Sequence, residues 1–318
     1  MGVYQGSENT ERMFDMKIAI CGGTGFVGGA LVDYWLQAGH HVKVITRKLP
    51  DLHNPSKNLT YISWEQVEEQ PHLLEGMDAL VNLAGETLNQ RWTTKAKLEI
   101  VESRVTTVAR VARLVETLEQ KPEVVVQASA MAIYGTSPTE TFDESSPQKS
   151  MNFPSRVSEQ WEVAADAIKN VRLVKIRVSL VLGHKRGAFP LMKLPYMLGV
   201  GGKIGSGKQW TSWIHIMDIV RLIDFSIHNK QVSGPVNASS PNPVTNDEFG
   251  RTVGKVYHRP HWFPVPGFLI KTLVGELSVV LLQGQRVIPQ KALDHGFQFT
   301  FPTLTQALED LKHRGLSD

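Results

Sequence analysis

The sequence has one cysteine, no long apolar run and almost no net charge. Because Cys21 is the only cysteine among 318 residues, a disulfide within the chain is excluded and a reducing, cytoplasmic location is expected. No uninterrupted apolar stretch is long enough to span a bilayer, so no membrane partner is expected. The net charge of +3 comes without a run of basic residues interleaved with aromatics, so no nucleic-acid partner is expected either.

Metal-binding and targeting signals are also missing. The 11 histidines are scattered, and none forms a helically spaced pair beside an acid, so no metal site is predicted. Residues 1–15 are polar and acidic, unlike a signal segment with a basic start and an apolar centre. We therefore predict a disordered N-terminal extension over residues 1–15.

The most informative feature present is a glycine-rich turn that follows an apolar strand. The segment Lys17–Gly28 reads KIAICGGTGFVG and leads into an amphipathic helix. In a dinucleotide-binding turn the first glycine allows the bend, the second lets the backbone approach a pyrophosphate, and the third lets the helix pack closely. The amino terminus of the helix then faces the phosphates. We expect cofactor binding at Gly22, Thr24, Gly25, Phe26, Val27 and Gly28.

The end of the second predicted strand indicates which cofactor binds. A turn that binds NAD usually has an acid about 20 residues after the glycines, where it binds the ribose hydroxyls. Here the strand His41–Ile45 ends instead in Thr46, Arg47 and Lys48, which offer a hydroxyl and two cations to a 2′-phosphate. The sequence therefore predicts NADP(H). The alternative is that Arg47 and Lys48 are solvated loop residues.

Strand and helix patterns alternate through the first part of the chain. This order predicts an α/β fold, a Rossmann-like doubly wound parallel sheet, with an NADP-binding domain over residues 16–181. A second cofactor contact is expected at Leu83, Ala84 and Gly85, which follow the fourth strand. Further predicted strands are Leu59–Trp64, Asp78–Gly85, Glu123–Ser129 and Val171–Val178, and predicted helices include Ala30–Ala38, Thr93–Gln120 and Val157–Lys169.

The composition changes at about Leu182. Glycine, proline and aromatic residues increase, which predicts loops and small elements over the carboxyl ends of the strands. We assign residues 182–318 to a smaller substrate-binding region with a tail from about residue 260. Within it, the five glycines of Gly199–Trp210 predict a mobile lid or a hairpin, and the two are compatible.

These motifs resemble the extended, atypical short-chain dehydrogenase/reductase superfamily, and within it the YfcH-like branch of epimerase family proteins. The resemblance runs from Lys17 to about Leu311 and includes the glycine turn, Asn82–Glu86 and the branch-specific tail segment Gly284–Pro289. It implies NADPH binding through Thr46, Arg47, Leu83, Ala84, Glu99, Arg104 and Val181. Glu99 and Arg104 alternatively form a surface pair. A homodimer in which two long helices pack across a two-fold axis would be family-like, and the sequence is equally compatible with a monomer.

The superfamily's catalytic pair is missing from the segment that should carry it. Short-chain dehydrogenases use a tyrosine followed four residues later by a lysine, so that the ammonium lowers the pKa of the phenol. Residues 152–162 read NFPSRVSEQWE and contain neither residue type. Ser129 and Tyr134 are weak catalytic substitutes, and packing explains Tyr134 better.

Substrate contacts are expected at Arg177, Trp210 and Trp213. A guanidinium binds carboxylate or phosphate with two bonds, and the two indoles would close over an apolar or sugar-like ligand. An ion pair with Glu162 would explain Arg177 equally well, and core packing would explain the indoles. His215 is a weaker catalytic candidate.

Two functions are compatible with these features. The first is an NADP(H)-dependent oxidoreductase or epimerase that acts on a small molecule such as a sugar nucleotide. The second is a non-catalytic NADPH-binding protein with a structural or redox-sensing role. The missing tyrosine and lysine favour the second function, whereas the glycine-rich loop and long tail favour an enclosed ligand and hence the first.

Overall fold

The computed structural model describes residues 15–50, 56–88 and 90–315. Nearly all of the predicted extension over residues 1–15 lies outside the described residues. Within the described ranges, no helix combines the length and the apolar character that crossing a membrane requires.

Seven of the strands form one parallel sheet, which confirms the predicted Rossmann-like α/β fold. These seven are β1–β5, β7 and β11, in the spatial order β11-β7-β5-β4-β1-β2-β3, and the remaining strands form short pairs outside this sheet. The strands are β1 (Lys17–Cys21), β2 (His41–Thr46), β3 (Leu59–Ser63), β4 (Ala79–Asn82), β5 (Val124–Ala130), β6 (Thr141–Phe142), β7 (Arg172–Val178), β8 (Leu180–Leu182), β9 (Trp210–Thr211), β10 (Trp213–His215), β11 (Gly234–Ala238), β12 (Val244–Thr245) and β13 (Arg286–Val287).

Helices cover both faces of the central sheet. Buried side chains of α1 and α6 belong to the apolar core on one face, and those of α2, α3 and α4 belong to the core on the other. The helices are α1 (Phe26–Gln37), α2 (Trp64–Glu69), α3 (Thr94–Thr117), α4 (Phe153–Ala165), α5 (Phe189–Met197), α6 (Ile216–His228), α7 (Asn246–Tyr257), α8 (Gly267–Val274), α9 (Ser278–Leu282), α10 (Gln290–Asp294) and α11 (Leu304–Arg314).

The central strands are apolar along their length because both faces of the sheet are covered. In β1, Ile18 and Ile20 pack into one core while Ala19 and Cys21 pack into the other, and all four side chains are fully buried. Burial also raises the pKa of the Cys21 thiol, so this cysteine acts as apolar filler.

The sheet extends beyond the predicted boundary at residue 181. Its edge strand β11 pairs in parallel with β7, from Gly234 opposite Val174 to Ala238 opposite Val178. Helix α6, which also follows the boundary, packs against α1. The region that the sequence assigns to substrate binding therefore completes the central sheet as well.

The remaining C-terminal elements form a separate apolar cluster beside the sheet. Helices α7 and α11 pack together there with Phe189 and Trp213. The glycine-rich loop 199–210 pairs with the segment that follows α7, because Gly205 donates its N–H to Val265 and Val265 donates to Lys203. A lid function for this loop stays a prediction.

Candidate dinucleotide site

The glycine turn has the backbone geometry that a bound phosphate requires. Gly22 has a φ of +83°, and a Cβ there would lie 2.9 Å from the Ala84 nitrogen. A Cβ on Gly28 would lie 2.1 Å from the Gly22 carbonyl oxygen, so the first turn of α1 packs directly on the loop. Gly25 is the N-cap of α1, and among the described residues no side chain caps its amides. The free N–H groups and the positive end of the helix dipole suit an anion.

Thr46, Arg47 and Lys48 lie beside this turn. Thr46 ends β2 and Arg47 and Lys48 follow it, and β2 pairs with β1 through Cys21 and Ile45. The Thr46 hydroxyl donates to the Lys48 carbonyl oxygen at 3.0 Å and shapes the loop. Arg47 and Lys48 are exposed, and within the described ranges Arg47 has no hydrogen-bond or ion-pair partner. An unpaired guanidinium next to a phosphate-binding turn is available to a second phosphate.

The segment after β4 approaches the turn from the other side. The N–H of Leu83 donates to the Cys21 carbonyl at 2.9 Å, and the Asn82 side chain accepts from Ala84 N–H at 3.2 Å. Gly85 leaves the space that the Arg104 side chain occupies. Gly85 is thus small because the Arg104 side chain packs against it, close to where the segment after β4 meets the glycine turn.

A cleft of about 410 Å³ runs along the carboxyl edge of the sheet. Its walls come from the glycine turn, the end of β4, the end of β5, the junction after β7 and one face of α4. The lining residues are Gly22, Gly25, Phe26, Val27, Gly28, Leu83, Gly85, Leu88, Arg104, Ala128, Ser129, Ala130, Ala132, Pro154, Val157, Ser158, Trp161, Val178, Ser179 and Ile219. The carboxyl edge of an open parallel sheet is where such folds bind their ligands.

Arg104 lies in the cleft, whereas Glu99 does not. Glu99 is exposed and lies 3.7 Å from Lys95, its neighbour one helical turn earlier on α3. Arg104 is only 7% exposed and donates from Nη1 to the Ile100 carbonyl at 2.9 Å. Burial lowers the pKa of Arg104 to about 10, partly offset by the charge of Glu86. The two residues therefore do not form the surface pair that was the alternative.

Trp161 on α4 was missed by the sequence interpretation. It lines the cleft and lies under the Arg104 guanidinium, whose carbon is 4.8 Å from the indole ring centre. The face of α4 toward the cleft carries Pro154, Val157, Ser158 and Trp161. Their spacing of three and four residues marks one helical face, and this periodicity was the available signal.

A buried hydrogen-bonded network lies directly behind the Ser129 position of the cleft. The Ser129 hydroxyl donates to Oε1 of Glu162 at 2.7 Å. Arg177 donates to both oxygens of the same carboxylate, at 2.8 and 2.9 Å, and also to the Tyr134 oxygen at 2.8 Å. The Tyr134 hydroxyl in turn donates to Asn237 at 2.8 Å. The ion pair between Arg177 and Glu162 is thus present, and the guanidinium is engaged within the protein.

The burial of this network opposes proton release from the phenol. Burial raises the pKa of Tyr134 to about 12, although its bonds with Arg177 and Asn237 act in the opposite direction. Burial disfavours the charge of Arg177, but the hydrogen bonds and charges of Glu162 and Tyr134 together outweigh this effect and raise its pKa above the usual value. Tyr134 also stacks on Phe142, with ring centres 5.4 Å apart. It is placed as a packed structural residue rather than on the cleft wall.

The other expected contacts are not on the cleft wall. Trp213 is fully buried in the C-terminal apolar cluster and donates from Nε1 to the Asn242 carbonyl. The Trp210 indole donates to the Pro138 carbonyl at 2.9 Å and lies under Arg286. Val181 is buried in β8, next to β10. His215 is fully buried as the N-cap of α6, where its Nδ1 accepts from Met217 N–H.

No metal-binding cluster is found in the described part of the chain. There, no group of three or more histidine, cysteine, aspartate or glutamate side chains is placed to hold an ion. The polar groups at the cleft are instead backbone amides, serine hydroxyls, one indole and one guanidinium.

The parallel sheet, the uncapped glycine turn and the cleft define a dinucleotide-binding protein of the Rossmann type. The chain belongs to the NAD dependent epimerase/dehydratase family, whose model matches residues 18–238. This stretch contains all seven strands of the central sheet except for Lys17, the first residue of β1. A second family model, a domain of unknown function (DUF1731), matches residues 265–311.

Several relatives match nearly the whole chain. Epimerase family protein YfhF of Bacillus subtilis is 41% identical over 303 residues, which is 93% of this chain and 98% of YfhF. The chloroplastic SDR39U1 homologue of Arabidopsis thaliana is 37% identical over 305 residues, 94% of this chain and 88% of that protein. The crystal structure of human SDR39U1 with NADPH has a TM-score of 0.86 at 35% identity, covering 94% of this chain and 99% of that chain. Bordetella bronchiseptica WbmG in complex with NAD, at 17% identity and a TM-score of 0.75, shares the fold.

Proposed function

We propose that this chain is an NADP(H)-dependent oxidoreductase that acts on a small-molecule substrate in the cytoplasm. One observation carries the choice of cofactor: Arg47 is unpaired among the described residues and follows β2, directly beside the phosphate turn. A guanidinium there favours a 2′-phosphate, whereas NAD recognition uses an acid. The NADPH in the human SDR39U1 structure is consistent with the same preference.

The residues present fit such a cofactor. A side chain at Gly22 or Gly28 would collide with neighbouring backbone, so the turn stays closely packed, and the amides of α1 have no side-chain cap in the described ranges. When bound, NADPH supplies a hydride. The chain would bind its phosphates at the glycine turn and at Arg47, and would enclose the rest between Arg104 and α4.

An oxidoreductase activity agrees better with an NADP-selective site than a sugar epimerase activity does. A sugar epimerase retains and recycles its cofactor, usually NAD, whereas an NADP-selective site suits stoichiometric exchange of NADPH. We interpret the word "epimerase" in the family name as a statement of descent. The sugar nucleotide remains one substrate class to test.

The first experiment measures calorimetric affinities of nucleotide-stripped protein for NADPH and NADH. Arg47→Ala should weaken NADPH binding by about 1–3 kcal/mol and leave NADH nearly unchanged, because only NADPH carries the 2′-phosphate. Arg113→Ala, which removes another exposed arginine on the far part of α3, is the matched control and should change neither affinity. Equal losses for both nucleotides would contradict the phosphate role of Arg47.

A second function, a non-catalytic NADPH-binding protein, is favoured by one specific observation. The hydroxyls of Ser129, Ser158 and Ser179 at the cleft all donate to acceptors within the protein. An assay that follows the decrease in NADPH absorbance in the presence of a panel of carbonyl compounds distinguishes the two functions. Turnover supports the oxidoreductase, and tight binding without turnover supports the binding protein.

A further inference from the structure

We infer that the indole N–H of Trp161 donates a hydrogen bond to an oxygen on the nicotinamide half of the bound dinucleotide. This inference rests on the proposed function, because it assigns a residue to the same cofactor. The oxygen is a ribose hydroxyl or the carboxamide carbonyl, both of which accept hydrogen bonds.

The indole N–H is buried and has no partner. Trp161 lines the cleft and is 7% exposed, and within the described part of the chain its Nε1 atom has no hydrogen-bond acceptor. A buried polar group without a partner is costly, and such groups are rare in native proteins. Three other buried indoles are satisfied: Nε1 of Trp35 donates to Asp224, that of Trp92 to the Leu88 carbonyl and that of Trp213 to the Asn242 carbonyl.

Little else on the same wall has a proton to donate. Ser129 donates to Glu162, Ser158 to the Pro154 carbonyl, and Ser179 to the Ala238 carbonyl, at 2.7 to 2.9 Å. The spare side-chain donors of the cleft are therefore the Trp161 indole and the remaining N–H groups of Arg104. A ligand at this wall meets donors, so the matching ligand group is an acceptor.

The position of Trp161 relative to the strand order indicates that it faces the nicotinamide half of the dinucleotide. The phosphate turn follows β1, and Arg47 follows β2 on one side of it. Trp161 lies on the other side of β1, on α4, which packs against α3 and β5. A dinucleotide whose pyrophosphate lies at the turn and whose 2′-phosphate lies at Arg47 extends its other half toward Trp161.

Arg104 is the group that must move when this bond forms. Its guanidinium lies over the indole, 4.8 Å from the ring centre, and its only side-chain hydrogen bond among the described residues is the one to the Ile100 carbonyl. A long side chain held by one such bond can turn toward a ligand and uncover the N–H beneath it.

The test compares two ligands in calorimetry. Trp161→Phe keeps an aromatic ring under Arg104 and removes the N–H, so affinity for NADPH should fall about fivefold. Affinity for 2′-phosphoadenosine 5′-diphosphate should stay unchanged, because that probe lacks the nicotinamide riboside. Trp64→Phe is the matched control, since Trp64 is also 7% exposed and lies 4.4 Å beneath Arg110 but away from the cleft. It should alter neither affinity.

Each outcome decides the inference. An unchanged NADPH affinity in Trp161→Phe, or an equal loss for both ligands, overturns it while the proposed function stands. Absence of NADPH binding by the unaltered protein overturns both. If Trp161→Phe does not fold, ¹⁵N-indole spectra of the unaltered protein replace it: NADPH should shift one indole resonance downfield and the adenosine probe should not. A spectrum in which no indole resonance responds selectively to NADPH overturns the inference.

Discussion

The two walls of the cleft differ in what their polar groups are bonded to. The phosphate wall, Gly22–Gly28, presents backbone amides that have no side-chain cap among the described residues. The network wall, which is Ser129 with Glu162, Arg177 and Tyr134 behind it, has its polar side chains bonded to one another. The first wall is built to receive a ligand, whereas the second is satisfied without one. Ligand binding and fold stability should therefore be separable in this molecule, and substitutions on each wall should give different results.

The largest effect should come from breaking the network wall. Arg177→Met leaves the Glu162 carboxylate buried without its cation, and the free energy of unfolding should fall by about 3–5 kcal/mol. Urea unfolding measures this loss. Affinity for NADPH, measured on the folded fraction, should change little, because the glycine turn does not contact this network.

The exposed ion pair between Lys230 and Glu123 provides the control. These side chains lie 3.0 Å apart at the surface, and Lys230→Met should leave the unfolding midpoint nearly unchanged. If Arg177→Met were as stable as this control, the network would not be the rigid wall described above.

The next effect should come from the phosphate wall. In Gly28→Ala the new methyl group would lie 2.1 Å from the Gly22 carbonyl oxygen, so the turn must move. We expect NADPH binding to be lost and the free energy of unfolding to fall by about 1–3 kcal/mol. Calorimetry and urea unfolding report the two quantities separately.

The neighbouring glycine sharpens this test. A Cβ on Gly29 would have its nearest contact at 3.7 Å, an ordinary van der Waals distance. Gly29→Ala should keep NADPH affinity and raise stability by up to about 1 kcal/mol, because alanine favours a helix more than glycine does. Similar losses in both variants would mean that any added methyl group in the first turn of α1 is unfavourable, and that the close approach at Gly28 is not the specific cause.

The phosphate wall could be predicted from the sequence because local rules determine it. Glycine spacing, the preceding apolar strand and the residues after β2 are all short-range signals, and the structure brings them together. Element boundaries shifted where a cap decides them. Strand β3 ends at Ser63, one residue before the predicted Trp64, because Ser63 caps α2. Helix α4 begins at Phe153, before the predicted Val157, because Asn152 and Ser155 form a capping box with Pro154 in the first turn.

The network wall required long-range information. Ser129, Glu162 and Arg177 come from β5, α4 and β7, and Tyr134 contacts Asn237, 103 positions away. From the sequence, the partner of Arg177 could be either an anionic ligand or Glu162. Only the packing of α4 on β5 and β7 decides between these two partners. Likewise, the assignment of β11 to the central sheet depends on pairing with β7, which no local pattern between residues 234 and 238 reveals.

The last effect concerns the proton of Tyr134 and develops only above pH 10. Its ordinary pKa is 10.0 and burial raises it to about 12 in the folded protein. Between these values the unfolded chain loses the proton while the folded protein keeps it, so stability is retained below pH 10 and declines toward pH 12. The slope is at most about 1.4 kcal/mol per pH unit. Tyr134→Phe should remove this part of the alkaline slope, and the difference in phenolate absorbance between the two proteins should titrate near 12. A phenol that instead titrates at or below 10 would be accessible as a proton donor at the cleft, and the network wall would then take part in chemistry rather than only support it.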